Sequence, residues 1–264
     1  MGGGDSWNKR MADRMAPFTS TNQHETLSQQ AGTARGPVVL RVSVIIPTLN
    51  EETLIAACIQ SAMQAEADEI IVADAGSTDQ TTEIAALTAS VVVSQPGRAI
   101  QQNAGAAQAT GDVLLFLHAD CRLAPDSIRS IRKALTNAPG TVAGCFWQQI
   151  DGAGLKYRLV EYGNAFRARV LKWAYGDQGI FVKSAVFRDI SGFPDVKFLE
   201  DLLMMKKLKR MGKILMLRNK LVVSARRWES RGVLRQTVRN MALVAASKLG
   251  VSPNRLAKFY PNER

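Results

Sequence analysis

The chain has 264 residues, 46% of them hydrophobic and 22% charged, a composition that fits one large or two small folded domains and excludes wholesale disorder. Aromatic residues make up only 6%, and no run approaches the ~18 uninterrupted apolar residues of a spanning helix, which argues against a transmembrane protein. The net charge of +11 is uneven: residues 1–150 carry 10 Lys and Arg against 14 Asp and Glu, a net −4, whereas residues 151–264 carry 24 against 9, a net +15. The basic half either meets an anionic partner, such as a phosphorylated substrate, nucleic acid or lipid headgroups, or is simply a solvated face.

Residues 1–37 lack apolar periodicity and are rich in Gly, Ser, Thr, Gln and Asn, which reads as a disordered leader without the apolar core of a secretory signal. From Val38 short β-branched runs alternate with Ala-rich helical stretches. The pattern predicts strands at Val42 to Ile46, Glu69 to Ala73, Ser90 to Ser94 and Asp112 to Leu117. Helices are expected at Glu51 to Ala65, Thr81 to Thr88, Ala99 to Ala109 and from near Pro125. Such alternation predicts a parallel sheet with helices on both faces and ligands bound beyond the carboxyl ends of the strands. Further on, a strand is expected at Val142 to Ile150, a helix at Leu155 to Lys172, a helix near Leu199 to Met211 and a strand near Leu221 to Ser224. The final segment, Val233 to Leu249, is amphipathic, with Leu234, Val238, Met241, Ala245 and Leu249 on one face and Arg235, Arg239 and Lys248 away from it. That face either docks on the protein or lies on a membrane surface.

Three cysteines, Cys58, Cys121 and Cys145, show no CxxC spacing and suggest a reducing, cytoplasmic compartment, and with only His24 and His118 a multi-histidine metal centre is excluded.

The chemistry sits at the strand ends. The first strand runs into PTLNEE, Pro47 to Glu52, with no GxGxxG turn, which argues against a dinucleotide oxidoreductase; Asn50 reads equally as the cap of the next helix. The acidity of this turn also argues against a nucleotidyltransferase, which needs a basic glycine-rich loop there. Asp74, in ADAGSTD, either accepts hydrogen bonds from a base or ribose or serves turn chemistry. Arg98 opens a helix after Pro96 and Gly97 and suits a phosphate. Gly105 permits close helix-to-sheet packing. His118 and Asp120, two apart in LHADCRL, point to one side if the strand stays extended, and Asp120 is either a cation ligand or a turn residue.

Taken in order, PTLNEE, EIIVADAGSTD, NAGAAQATGD and LLFLHADCRLAPD resemble the family 2 glycosyltransferases of the nucleotide-diphospho-sugar transferase (GT-A) fold. GDQGIFV, then GFPDVKFLEDLLMMKKLKRMG with Glu200 and Asp201 as its ED pair, and SARRW at Ser224 to Trp228 continue the likeness. The chain is most similar to a small single-domain subfamily known by its association with radical-SAM and selenoprotein genes.

The resemblance implies an α/β fold with a mostly parallel central sheet. It also implies a transferase domain over 38–230, divided into a nucleotide half at 38–126 and an acceptor half at 127–230, and a helical segment at 231–264. Pro47, Asn50 and Glu51 would line the nucleotide pocket, Asp74 would read the base, and Arg98 with Asn103 would border the diphosphate. Asp120 would bind Mn²⁺ or Mg²⁺ as the remaining aspartate of a DxD motif whose first position is His118. Asp201 would be the catalytic base, with Glu200 beside it, and Asp177, Gln178, Arg227 and Trp228 would lie on the acceptor side. Apart from the resemblance, Glu200 and Asp201 also read as a pair of acids favoured by the dipole in a helix's first turn. The donor would be a UDP- or GDP-linked sugar. A lipid-linked acceptor and peripheral contact with an anionic membrane are among the options, and no nucleic acid is expected, since no RNA or DNA motif accompanies the basic charge. Ser224 replaces the glutamine of QxxRW, which weakens any case for processive polymer synthesis.

Overall fold

The structure, a computed structural model, describes residues 39–259; the expected leader lies outside them. Eight strands form one sheet in the order β3-β2-β1-β4-β7-β6-β8-β5. They are β1 Val42–Thr48, β2 Glu69–Asp74, β3 Ser90–Val93, β4 Val113–Phe116, β5 Cys121–Arg122, β6 Thr141–Asp151, β7 Ile180–Lys183 and β8 Lys213–Ser224. The β-branched runs give the parallel half β3-β2-β1-β4, as expected. The remainder is mixed: β7 runs antiparallel to β4 and β6, β6 and β8 are parallel, and β5 is antiparallel to β8.

Alternation of side chains divides the core into two layers. Val42, Val44 and Ile46 pack below the sheet with Val113 and Leu115, and Ile45 packs above it with Leu114 and Phe116. Helices cover both faces: α1 Glu52–Gln64, α2 Thr81–Ala86, α3 Arg98–Gln108, α4 Ser127–Asn137, α5 Leu155–Phe166, α6 Ser184–Asp189 and α7 Glu200–Met211. Gly105 earns its place in α3, since a Cβ there would stand 2.5 Å from Ile45 Cγ2 of β1. Then come α8 Arg226–Arg231, α9 Val233–Lys248 and α10 Pro253–Leu256. Leu243 of α9 joins Phe198 and Leu256 in a small core of its own. Among the described residues no helix is long and apolar enough to cross a membrane.

Four local expectations are corrected. The first strand, expected over Val42 to Ile46, runs on to Thr48, with Pro47 inside β1 and paired with Ala73. The proline is tolerated because Ile45 is the last β1 residue paired with β4, so Pro47's missing N–H faces a side where the ladder has ended. The strand before His118 ends at Phe116, and residues 119–120 form a turn in which the Cys121 N–H bonds the His118 carbonyl at 3.0 Å, so the extended-strand argument for His118 and Asp120 fails. The helix expected through Lys172 changes at Arg167 into a π-helical turn, Arg167–Leu171, closed by Lys172 in the left-handed region (φ 56°). Finally, α9 is rotated from its expected docking: Gln236 and Leu243 are buried, whereas Val238, Met241, Ala245 and Leu249 are exposed. The side chain of Leu234 lies outside the described residues.

Candidate active site at the strand ends

The turns after β1 and β2 form one hydrogen-bonded unit. The Asp74 carboxylate accepts from Thr48 Oγ1 at 3.0 Å, from the Gly76 and Ser77 N–H groups at 2.9 and 2.8 Å, and from Ser77 Oγ. Its four lone-pair positions are thus engaged, and it shapes the Gly76–Thr78 turn. Asn50, in the left-handed region (φ 54°), does not cap α1, whose cap position is Glu51. Its amide oxygen instead accepts the Thr78 N–H at 2.9 Å, and its own N–H donates to Ser77 Oγ. Glu51 is buried and pairs with Arg226 Nη2 at 3.2 Å. Gln101 of α3 fastens the unit from behind, donating through Nε2 to the carbonyls of Thr48 and Ala73.

Beside this unit a small cleft of about 80 Å³ gathers Arg98, His118, Gly176, Asp177, Glu200 and Asp201. Their positions come from four separate segments. Arg98 is the first residue of α3, after Gly97 (φ 139°). His118 follows β4, and Asp177 lies in the short 3-10 turn Gly176–Gln178, where Gln148 Nε2 donates to its Oδ2 at 2.8 Å. Glu200 and Asp201 open α7 directly after Leu199, a non-glycine residue held at φ 62°. Glu200 Oε1 stands 3.9 Å from Arg98 Nη1, and Arg98 Nε is buried without a hydrogen-bond partner among the described residues. The cation therefore keeps donor capacity on the cleft side.

Asp201 Oδ2 accepts the Gly176 N–H at 2.8 Å, while Oδ1 is buried with no hydrogen-bond partner among the described residues. Burial, followed by the charge of Glu200, pushes the Asp201 carboxyl up to about 8; Arg98 and the Gly176 N–H oppose that rise. A carboxyl so poised is suited to taking a proton near neutral pH. The buried thiols are the reverse case: burial raises Cys58 and Cys121, so neither is ready to act as a thiolate.

Not every expected residue reaches this cleft. Arg98 and Asn103 are five residues apart, about 140° around a helix, so they face different ways. Asn103 clamps the backbone of Phe193, donating to its carbonyl at 2.9 Å and accepting its N–H at 3.0 Å, and it borders a separate groove with Phe187 and Gly192. Asn103 therefore lies apart from Arg98, with which the resemblance had grouped it. Trp228 is buried in the core below the sheet, and Gln178 is buried with its Oε1 taking the Tyr175 N–H and Arg167. The side chain of Arg227 lies outside the described residues. Asp120 is buried, with Cys121 Sγ 3.5 Å from its Oδ1.

Sequence reasoning missed Arg226 and Gly176. An arginine beside the expected Arg227 was the only signal for the first. For the second, a Cβ at position 176 would stand 2.3 Å from His118 Nε2 and 2.9 Å from Asp201 Oδ2, so glycine lets imidazole and carboxylate close on one point. Gly176→Ala is expected to displace both, costing about 1–3 kcal/mol of stability as overpacking. The melting temperature of the variant against the parent tests this; an unchanged value would show that the meeting of His118 and Asp201 is incidental.

A mixed sheet with acidic and basic side chains converging beyond its strand ends agrees with the GT-A fold that the resemblance implies. The sequence matches Glycosyl transferase family 2 over residues 43–190, and the chain belongs to that family. No curated protein matches it significantly. Among solved structures it is similar to S. aureus TarS 1–349 in complex with UDP-GlcNAc (21% identity, TM-score 0.54, covering 70% of this chain and 58% of that one). It is also similar to glucosyl-3-phosphoglycerate synthase from Mycobacterium tuberculosis in complex with Mn²⁺, UDP and phosphoglyceric acid (23%, 0.51, 70% and 69%). A third is the mannosyltransferase PcManGT from Pyrobaculum calidifontis in complex with GDP-Man and Mn²⁺ (19%, 0.59, 83% and 68%). The chain thus spans less than two thirds of the TarS fragment's length.

Proposed function

We propose that this family 2 glycosyltransferase moves a sugar from a UDP- or GDP-linked donor to an acceptor hydroxyl by inverting displacement, with Asp201 as the base. One observation carries the reading: the buried Asp201 carboxylate has an oxygen without a hydrogen-bond partner among the described residues, in the cleft that also holds Arg98. Asp201 Oδ1 would take the acceptor proton as the hydroxyl oxygen attacks the anomeric carbon, the Gly176 N–H holding the other oxygen in place. Arg98 would draw the departing diphosphate to the start of α3, its weak pairing with Glu200 being exchanged for the phosphate. Pro47, Asn50, Glu51 and Asp74 would form the wall against the nucleoside, and Asp177 would border the acceptor, with Gln178 buried behind it. On this reading residues 38–126 and 127–230 are the donor and acceptor halves of one domain, and 231–264 are an extension that is helical over most of its described residues.

Among the described residues no group of three or more His, Cys, Asp or Glu side chains could hold a metal ion. Asp120, with His118 close by in the chain, fits a cation that arrives with the donor diphosphate, either Mn²⁺ or Mg²⁺. Such a cation would neutralise charge on the leaving group. The Mn²⁺ in two of the similar structures supports this choice.

A thermal-shift series with UDP, GDP and their sugars, with and without Mn²⁺, tests the donor and the cation together, because a ligand that binds only the folded state raises its melting temperature. A rise that grows with metal is the expected result, and equal shifts with Mn²⁺ and with EDTA would remove the cation. His118 in place of an aspartate favours a second reading, a sugar-nucleotide binder without turnover. Release of free nucleoside diphosphate from a bound donor separates the two.

A further inference from the structure

The largest unexplained feature lies away from the cleft, on α5 and its π-helical extension. Leu155, Leu159, Tyr162, Phe166 and Val170 are exposed by 74, 65, 65, 66 and 55%, and their spacings of three and four set them in one stripe. At 1.5 Å per residue the stripe is about 22 Å long. The opposite side of α5 is the buried one, with Tyr157, Glu161 and Ala165 facing the protein. The neighbouring α9 repeats the arrangement: Val238, Met241 and Leu249 are exposed by 56, 69 and 86%. Lys248 Nζ lies 4.1 Å from the Trp173 ring, tying the end of α9 to the segment that follows the π-helical turn. Monomeric proteins seldom leave apolar stripes on adjacent helices uncovered.

Charge indicates what covers them. Residues 152–175 contain five cations, Lys156, Arg158, Arg167, Arg169 and Lys172, and a single acid, Glu161, which is buried and paired with Arg158 at 3.0 Å. Residues 230–262 contain no acid at all. By helical position Lys156 and Arg169 flank the α5 stripe, and Arg235 and Lys248 flank that of α9; all four are exposed. A second copy of the same face would set these cations against each other, which disfavours a symmetric dimer. An anionic bilayer satisfies both features at once, taking the apolar side chains into the acyl boundary and the cations among its headgroups.

We infer that the α5–α9 face is a docking surface for an anionic lipid membrane, with α5 as its main contact. The inference is independent of the donor chemistry, and its test needs no sugar nucleotide. Cosedimentation of the full chain with phosphatidylcholine vesicles, with and without about one third phosphatidylglycerol, at about 0.05 M and 0.5 M salt, reads it directly. The expected result is binding to the anionic vesicles that falls steeply with salt. Leu159→Glu with Phe166→Glu should reduce it by about tenfold or more, whereas Leu87→Glu, at an exposed leucine just past the end of α2, should not. Lys156→Gln with Arg169→Gln should weaken the salt-sensitive part alone. Because these side chains are exposed, a circular dichroism spectrum like the parent's is expected and shows that loss of binding is not unfolding. No sedimentation with anionic vesicles at low salt, or undiminished binding by the Leu159→Glu and Phe166→Glu variant, overturns the inference. So does a parent dimer that this variant dissociates, which would make the face a protein interface.

Discussion

Asp201→Asn is expected to bind nucleotide sugar like the parent protein and to transfer it about 100- to 10,000-fold more slowly, the usual effect of losing a general base. Asparagine keeps the shape of the side chain and can still accept the Gly176 N–H through its amide oxygen. What it lacks is the ability to take a proton. Glu200→Gln should be the milder lesion, since Glu200 lies against Arg98 and acts on the cleft mainly through that cation. Calorimetric affinity and transfer rate, measured side by side, decide the matter. Retention of most transfer activity by Asp201→Asn would move the base to Glu200 or Asp177. The same substitution has a pH signature. The Asp201 carboxyl is raised in the folded protein, so its contribution to stability is fully present below its unfolded value near 4 and is lost as pH rises through the folded value. Parent stability should therefore fall across the neutral range relative to Asp201→Asn. Parent transfer, which needs the ionised form, should rise over the same range.

Asp120→Ala should act on a different step. If Asp120 meets the donor through a cation on its diphosphate, the variant should lose nucleotide affinity by about tenfold or more, or 1.4 kcal/mol, when Mn²⁺ is present. It should differ little from the parent in EDTA, and its transfer rate should fall as well. Titrations of UDP and GDP with and without metal distinguish this from simple structural damage, which would weaken binding under both conditions. A loss that is equal with and without metal would make Asp120 a packing residue of the turn before β5.

Much of the parallel half of the sheet was legible in the sequence because its signals are local. β-branched runs fix the strands, Pro96 and Gly97 fix the start of α3, and a parallel sheet delivers the ends of β1 and β2 to one edge. The residues closing those strands are therefore neighbours in space wherever the alternation holds. The likeness of PTLNEE, ADAGSTD and the ED segment to family 2 transferases rests on the same short stretches.

What the sequence could not decide were contacts between segments remote in the chain and the facing of helices with two plausible sides. The Glu51–Arg226 pair spans 175 positions and exists only because the chain returns through β8 to the end of β1. Gly176 became a meeting point for His118 and Asp201 because β4, the 3-10 turn and the start of α7 converge there. Asn103 was turned away from the cleft by the helical rotation that aims Arg98 into it. In α9 the sequence determined the apolar stripe but not its direction. Burial of Gln236 and Leu243 against the protein left Val238, Met241 and Leu249 outside. Periodicity states which side chains share a face; only the packing of the whole chain states what that face meets.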